Sequence, residues 1–211
     1  QNSPEWVSAR IGVPSASRFK DILAKGEGKT RAKYLRELAG EIITGLPTEN
    51  YTNGFMDRGH AVEDDARSMY AFMRDTDPMP VGFLRNGRVG ASPDSLVGLS
   101  GVLEIKSKTP NLWIEAMERG SFPPEHKAQV QGQLWVSERD WADLAIYYPG
   151  MPLLVYRTER DEPYIDQRRK AVTAFCEELD EVVARVRAYA DPGAPKAAFR
   201  GSVILGDVGL V

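Results

Sequence analysis

The sequence predicts an α/β fold, in which a central mixed β-sheet is flanked by helices. The first observation is the order of elements, because three helical segments precede the extended segments, and helical and extended segments then alternate. The second is a β-hairpin. Its two extended runs, Ser95–Val97 and 102–106, are joined by a turn that Gly98 and Gly101 bracket. A chain of 211 residues buries the core of one such domain without disulfides or structural metals.

The other elements are assigned in chain order. Helices are predicted over 17–24, 32–44, 61–74, 127–137 and 164–189, and the first begins at a serine, a residue favoured at helix starts. Strands are predicted over 81–84, 90–97, 102–106, 142–148 and 153–158, and loops over 25–29, 46–55 and 119–124. The single domain, 1–211, therefore divides into an N-terminal helical part (about 1–75), a sheet core (about 80–160) and a C-terminal helix and tail (about 163–211).

Composition and charge restrict the partners and the compartment. The chain has 27 basic and 30 acidic residues and a net charge of −3, so a DNA partner must meet a local basic surface. A single cysteine, Cys176, excludes an intramolecular disulfide and favours a reducing compartment. No apolar run approaches the roughly 20 residues of a membrane span, and the first residues lack a secretory pattern. We therefore expect a cytoplasmic protein with no membrane partner.

The predicted hairpin brings two carboxylates and an amine to one end of the sheet. Because side chains alternate along a strand, Glu104 and Lys106 share one face, whereas Ile105 turns toward a core. Pro93 ends regular pairing and leaves Asp94 where the strand meets the loop. This layout is typical of a metal-dependent phosphodiesterase.

The chemistry of phosphodiester hydrolysis explains why these residue types occur together. A hard cation such as Mg²⁺ prefers carboxylate and carbonyl oxygens, neutralises developing charge and lowers the pKa of the attacking water. We expect Asp94, Glu104 and the backbone carbonyl of Ile105 to bind it, and Lys106 to orient the water or stabilise charge at phosphorus. An isolated Glu104 and Lys106 would more simply be a solvated pair on a strand, but the hairpin and Asp94 favour catalysis.

These residues resemble a known nuclease signature. Pro93 and Asp94, nine intervening residues, and then Glu104, Ile105 and Lys106 resemble the PD-(D/E)XK motif. Flanking segments resemble the bacteriophage lambda type of 5′-to-3′ exonuclease, also called alkaline exonuclease, in the viral recombinase branch of that superfamily. The segments are 6–17, 58–67, 128–136 and 159–162. The resemblance implies a restriction-endonuclease-like core.

The resemblance also implies an activity and partners. It implies a Mg²⁺-dependent exonuclease, with Mn²⁺ as a substitute and two ions per site, that degrades one strand of linear double-stranded DNA to 5′-mononucleotides. The remaining 3′ overhang would serve phage-type homologous recombination by strand annealing in a bacterial host cell. A homotrimeric ring at the DNA end and a single-strand annealing recombinase are the implied partners. A PD-(D/E)XK endonuclease of restriction or repair type and a non-catalytic DNA-end-binding module remain as alternatives.

Further catalytic residues are assigned on the same resemblance. Glu63 is expected to be an additional metal-site acid or to position water, although a glutamate in the first turn of a helix is the simpler alternative. Gln129 and Gln131 lie in the family's glutamine motif. Gln129 is expected in the active site and Gln131 at the DNA, with plain surface glutamines as the alternative. Gln129 and Gln133 are four residues apart, so their amides lie on one side of the predicted helix.

A second group of residues is predicted to bind the DNA end. Arg10 offers a bidentate charge, and Ser15 and Ser17 offer hydroxyl and N–H donors at a helix start. The resemblance implies that Arg10 and Ser17, with Ser15 in addition, hold the 5′-phosphate, whereas an N-cap and a surface arginine are the alternative. Met56 follows a turn signal and is predicted to be an apolar wedge that separates the strands, with core packing as the alternative.

Overall fold

The computed structural model describes residues 3–24, 28–48 and 54–190 of the chain. Its helices are α1 (Pro4–Arg10), α2 (Phe19–Ile22), α3 (Lys29–Thr44), α4 (Gly54–Arg74), α5 (Pro110–Arg119), α6 (Lys127–Ser137) and α7 (Glu162–Ala190). Its strands are β1 (Pro78–Pro80), β2 (Leu84–Asn86), β3 (Val89–Ala91), β4 (Ser95–Val97), β5 (Gly101–Ser107), β6 (Trp141–Tyr147) and β7 (Leu154–Glu159). Short 3₁₀ helices, Ala16–Arg18 and Pro124–His126, precede α2 and α6.

A five-stranded mixed sheet forms the centre of the fold. Its order is β1-β4-β5-β6-β7, with β5 and β6 parallel and the other neighbours antiparallel, while β2 and β3 form a separate hairpin. A parallel pair needs a crossover connection, and α5 and α6 supply it between β5 and β6. The predicted α/β fold with a mixed central sheet is confirmed.

Different helices cover the two faces of the sheet. On one face, Val102 of β5 packs with Val130 and Leu134 of α6, and α5 covers the neighbouring part of β6. On the other face, Leu103 of β5 packs with Ala66 of α4. β5 is therefore buried along most of its length, and only its C-terminal end, at Lys106 and Ser107, opens toward solvent.

A buried charge network ties α4 to the sheet. Asp143 of β6 has no exposed surface, and its carboxylate accepts hydrogen bonds from Tyr70 Oη at 2.8 Å and from Arg157 Nε and Nη2 at 2.8 and 2.9 Å. The Arg157 guanidinium lies 3.7 Å from the centroid of the Trp141 ring. Burial and the Asp143 carboxylate raise the pKa of Tyr70, so this hydroxyl stays a donor at neutral and moderately alkaline pH. The network fixes the helix that carries Glu63 against the strands beside the site.

A second core joins the two ends of the described chain. Apolar side chains of α2, α3, the β2–β3 hairpin and α7 are buried together, and the ring of Tyr34 stacks on Phe175 with centroids 5.6 Å apart. The N-terminal helices and the C-terminal helix therefore complete one core.

None of the helices in the described ranges is long and apolar enough to cross a membrane.

Two helices, α1 and α5, are absent from the sequence prediction. Each begins with a proline that follows a serine or threonine: Pro4 after Ser3, and Pro110 after Thr109. The Ser3 side chain accepts the backbone N–H of Trp6 and caps α1. Proline is favoured at the first helical position because its φ is already helical and its missing N–H would have no partner there. The Ser-Pro and Thr-Pro dipeptides were the sequence signal that indicates the starts of these two helices.

Four predicted elements differ clearly in extent from those observed. The helix predicted at 61–74 begins earlier, at Gly54, inside the predicted loop 46–55. The predicted strand 90–97 is wrong as one strand, because Pro93 has no N–H for a ladder and divides the segment into β3 and β4. The strand predicted at 81–84 is replaced by β1 and β2 on either side. The helix predicted at 17–24 consists of the 3₁₀ helix Ala16–Arg18 and the single turn of α2. The break at Pro93 leaves Asp94 outside the ladder.

Candidate active site

The paired ends of β4 and β5 position the first carboxylate. Ser95 pairs with Leu103 in antiparallel register, so Asp94 lies across from Glu104. Asp94 Oδ2 accepts the backbone N–H of Ile105 at 2.5 Å. Because the N–H and C=O of one strand residue point to the same side, the Ile105 carbonyl turns toward Asp94.

Glu104 is the second carboxylate, and it accepts three side-chain donors. It is 3% exposed. Its Oε1 accepts Lys106 Nζ at 2.7 Å and Gln129 Nε2 at 2.6 Å, and its Oε2 accepts Gln133 Nε2. A buried carboxylate without partners is costly, so these donors compensate for its burial and fix its orientation.

Glu63 of α4 approaches the same site from the other face of the sheet. Its carboxylate is paired with Arg67, one turn later on the helix. Arg67 Nε donates to Ser95 Oγ at 2.9 Å, and Ser95 is adjacent to Asp94. Arg67 therefore links α4 to β4 beside the carboxylates, a role that no sequence motif indicated.

Burial and neighbouring charges together shift the pKa values of Asp94 and Lys106. Burial, followed by the negative charges of Glu104 and Glu63, raises the pKa of Asp94 well above its usual range, although the Ile105 N–H and Lys106 oppose this. Burial alone would lower the pKa of Lys106, but the neighbouring carboxylates outweigh it and raise that pKa. Lys106 is therefore a charged ammonium, and Asp94 is the carboxylate whose negative charge its surroundings disfavour.

The donor set fits a hard divalent cation. Asp94 and Glu104 offer carboxylate oxygens, and Ile105 offers a carbonyl oxygen, with no sulfur among these donors. In residues 3–24, 28–48 and 54–190, no group of three or more His, Cys, Asp or Glu side chains forms a ready-made metal cage. Mg²⁺ does not require one, since it usually binds through one or two carboxylates and keeps several waters. A cation would also offset the crowding that raises the pKa of Asp94.

The Asp94→Asn variant is expected to be more stable than the wild type at alkaline pH when no metal is present. The folded-state pKa of Asp94 is raised, so the folded protein holds this proton more tightly than the unfolded chain. The contribution of the Asp94 proton to wild-type stability is thus present at acidic pH and is lost as pH rises through the raised pKa. The asparagine amide of the variant has no such proton, so the variant does not lose stability in this way. Thermal unfolding in EDTA from about pH 4 upward should show a widening gap in Tm. A constant gap across that range would contradict the predicted crowding.

Arg10 contacts the segment that leads to Asp94. Its Nη1 donates to Ser92 Oγ at 3.0 Å, and Trp6 Nε1 donates to the same oxygen at 3.0 Å. The guanidinium carbon lies 4.3 Å from the centroid of the Trp6 ring. Sequence reasoning found Arg10 but not these partners, because α1 itself was not predicted.

Ser15 and Ser17 lie next to β3. Their hydroxyl oxygens are 3.2 Å apart, and the backbone N–H of Ser15 donates to Tyr34 Oη at 3.1 Å. Ser15 is buried and forms a parallel bridge with Gly90, whereas Ser17 is exposed. Ser15 precedes a 3₁₀ helix of only three residues, and Ser17 lies within it. An anion there would be bound by hydroxyl groups and not by a helix dipole.

Gln131 points away from this site. It is 1% exposed, its Nε2 donates to the Glu159 carbonyl at 2.8 Å, and its Oε1 accepts the Asp161 N–H at 2.9 Å. A buried amide with both ends bonded to backbone has no group left for a phosphate. The structure therefore corrects the predicted DNA contact of Gln131, and the second glutamine that reaches Glu104 is Gln133.

Met56, the predicted wedge, lies on α4, but its side chain is outside the described part of the structure. The wedge therefore stays a prediction.

The fold and the site together define a nuclease of the PD-(D/E)XK class. Asp94 precedes β4, and Glu104 and Lys106 lie on β5 beside it, with the carboxylates and the ammonium in one cluster.

The chain belongs to the YqaJ-like viral recombinase domain family, whose profile matches residues 5–140. It is similar to the alkaline exonuclease LHK-Exo from Laribacter hongkongensis, with 32% sequence identity, a TM-score of 0.81, and coverage of 89% of this chain and 98% of that one. The structure of LHK-Exo in complex with dAMP gives a TM-score of 0.82 at the same identity and coverage. The resemblance to lambda-type alkaline exonucleases is confirmed, and the chain is an exonuclease of this type.

A more distant structure shares the fold. The phage-related exonuclease from Haemophilus somnus 129PT has 15% identity and a TM-score of 0.64, with coverage of 82% of this chain and 96% of that one. A comparison with curated protein sequences gave no match.

Proposed function

We propose that the protein is a Mg²⁺-dependent 5′-to-3′ exonuclease that degrades one strand of linear double-stranded DNA to 5′-mononucleotides and leaves a 3′ overhang. The observation that carries this proposal is the contact between Arg10 and Ser92, two residues before Asp94. A cationic group for a terminal phosphate then contacts the segment that leads to Asp94, which would hold a strand end near the reacting groups. LHK-Exo, the relative at 32% identity, has been solved in complex with dAMP, a deoxynucleoside monophosphate.

Three groups at the end of β5 would hold the metal. These are the carboxylates of Asp94 and Glu104 and the backbone carbonyl of Ile105, with Mn²⁺ as a substitute and two ions per site. Bound Mg²⁺ supplies charge neutralisation and lowers the pKa of the attacking water.

The remaining polar residues position the reactants. Lys106, held 2.7 Å from Glu104, orients the water and stabilises negative charge on the phosphoryl oxygens. Gln129 keeps Glu104 oriented from α6. Glu63, held by Arg67, adds an acid that positions water or binds metal. Arg10, Ser17 and Ser15 hold the 5′-phosphate.

Enclosure explains how an acidic chain stays on DNA. A net charge of −3 gives no general attraction to the phosphate backbone. In our proposal three copies form a ring around the DNA, so that dissociation between cleavage steps is prevented by topology, as in other multivalent binding. The 3′ overhang is then passed to a single-strand annealing recombinase in phage-type recombination in the bacterial cytoplasm.

The test compares linear duplexes carrying 5′-phosphate or 5′-hydroxyl ends with a closed circle, in Mg²⁺, by release of mononucleotides. The wild type is expected to digest the 5′-phosphorylated linear strand fastest and to leave the circle intact. Arg10→Met should slow digestion of the phosphorylated end about tenfold or more, because a charged hydrogen bond is lost. Digestion of the hydroxyl end should change little.

Arg88→Met is the matched control, because Arg88 forms an exposed ion pair with Asp180 of α7 and its loss should leave the preference intact. Cutting of the circle would contradict the proposal in favour of an endonuclease. The absence of any metal-dependent product would point to a DNA-end-binding module.

A further inference from the structure

Gln133 bonds to Glu104 from the buried side. It lies on α6 one turn after Gln129, is 1% exposed, and donates its Nε2 to Glu104 Oε2. Gln129 and Lys106 take the other carboxylate oxygen, Oε1. The two glutamines therefore hold Glu104 from both oxygens, and Gln133 does so from inside the protein.

The other end of the Gln133 amide argues against a purely structural role. Within the described residues, its Oε1 is buried and has no hydrogen-bond partner. Gln131, equally buried and two residues away on the same helix, has backbone partners at both ends of its amide. Burying an unsatisfied carbonyl oxygen costs folding free energy. A glutamine selected for the fold alone would satisfy both ends, so the donor to Glu104 is the part of Gln133 that matters.

We propose that Gln133 is a positioning residue that fixes the Glu104 carboxylate for metal binding and catalysis. A glutamate has three rotatable side-chain bonds, and holding one oxygen from the core leaves the other in one place at the mouth of the site. This inference rests on the proposed role of Glu104 as a metal ligand. It extends the site by a residue that touches neither DNA nor metal and acts only through Glu104.

The test compares Gln133→Met with Gln131→Met. Both changes replace a buried amide by an apolar side chain of similar volume on one helix. Gln133→Met is expected to weaken Mg²⁺ or Mn²⁺ binding about 10- to 100-fold, measured by isothermal titration calorimetry without DNA. It should also lower kcat while the KM for 5′-phosphorylated ends stays unchanged, because Arg10 is not disturbed.

Gln131→Met should show the opposite pattern. It loses two hydrogen bonds to backbone and should lower Tm more than Gln133→Met does, yet its metal affinity should equal that of the wild type. Gln133→Asn, whose amide is one methylene too short to reach Glu104, is a second variant that keeps the polarity and should reproduce the loss of metal affinity.

Equal metal affinity in Gln133→Met, Gln133→Asn and the wild type would overturn the positioning role. So would a loss in Gln131→Met as large as that in the Gln133 variants. The proposed function is judged separately on the wild type: a wild type that neither binds Mg²⁺ nor digests DNA ends refutes that function, whereas an active wild type with unaffected Gln133 variants refutes only this inference.

Discussion

Lys106→Met is expected to lower the rate of DNA digestion by about 10³-fold while the fold is kept. Methionine retains the apolar stem but removes the ammonium that lies 2.7 Å from Glu104. Its charge is strongly held, since Glu104, Asp94 and Glu63 together raise the pKa of Lys106 despite its burial. The measurement is the initial rate of mononucleotide release at saturating Mg²⁺ and DNA, together with Tm.

Lys108→Met is the matched control, because Lys108 follows the same strand but is paired with Glu125 at 3.6 Å instead of Glu104. Its rate of DNA digestion should fall by less than about tenfold. If the two variants lose equal activity, the contribution of Lys106 is general positive charge and its contact with Glu104 is not the reason.

Arg157→Met is expected to lower the free energy of unfolding by about 3–5 kcal/mol. The change leaves the fully buried carboxylate of Asp143 without its bidentate partner, while methionine retains contact with the Trp141 ring. Tyr70 remains as a donor at 2.8 Å, and Arg74 Nε lies 4.0 Å from Asp143 Oδ2. Neither a neutral hydroxyl nor a guanidinium beyond hydrogen-bonding distance replaces the bidentate pair. Urea denaturation of the metal-free protein measures the loss.

Two further variants separate the buried charge from the loss of an arginine as such. Arg88→Met breaks an ion pair with Asp180 in which both side chains are about half exposed, and it should cost less than about 1 kcal/mol. Asp143→Asn added to Arg157→Met should restore part of the stability, because the buried charge, left with only the longer contact to Arg74, is removed. The interpretation fails if Arg157→Met costs no more than Arg88→Met.

The hairpin that carries the candidate site was predictable because its geometry is local. Glu104 and Lys106 are two residues apart on one strand, and Pro93 marks the point where pairing stops, so the period of a strand and one proline placed the three charged groups together. The same reasoning wrongly merged β3 and β4 into one strand. β3 pairs with β2, whereas β4 pairs with β1 and β5, and this change of pairing partner at Pro93 depends on the tertiary fold.

The choice between Gln131 and Gln133 was not predictable, because it depends on how α6 is rotated against the sheet. Packing of Val130 and Leu134 on β5 and β6 sets that rotation. Gly132 adds to it, since a Cβ there would come within 2.8 Å of the Phe19 ring. The spacing of four between Gln129 and Gln133 was the only local signal.

Contacts between distant segments escaped prediction for the same reason. Arg67 reaches Ser95, 28 positions later, and Arg10 reaches Ser92, 82 positions later. No local sequence pattern indicates either contact. Such contacts depend on the packing of α4 and α1 against the sheet, which only the whole fold determines.

The shared core of α3 and α7 has a consequence for synthesis on the ribosome. When the ribosome has synthesised all the strands of the five-stranded sheet, α7 has not yet been made. The apolar face of α7, against which Tyr34 and its neighbours are buried, is then still missing. Those side chains stay uncovered until α7 emerges, and unfinished chains with exposed apolar surface are clients for chaperones. This core is therefore completed only after translation has passed α7, later than the strands of the central sheet.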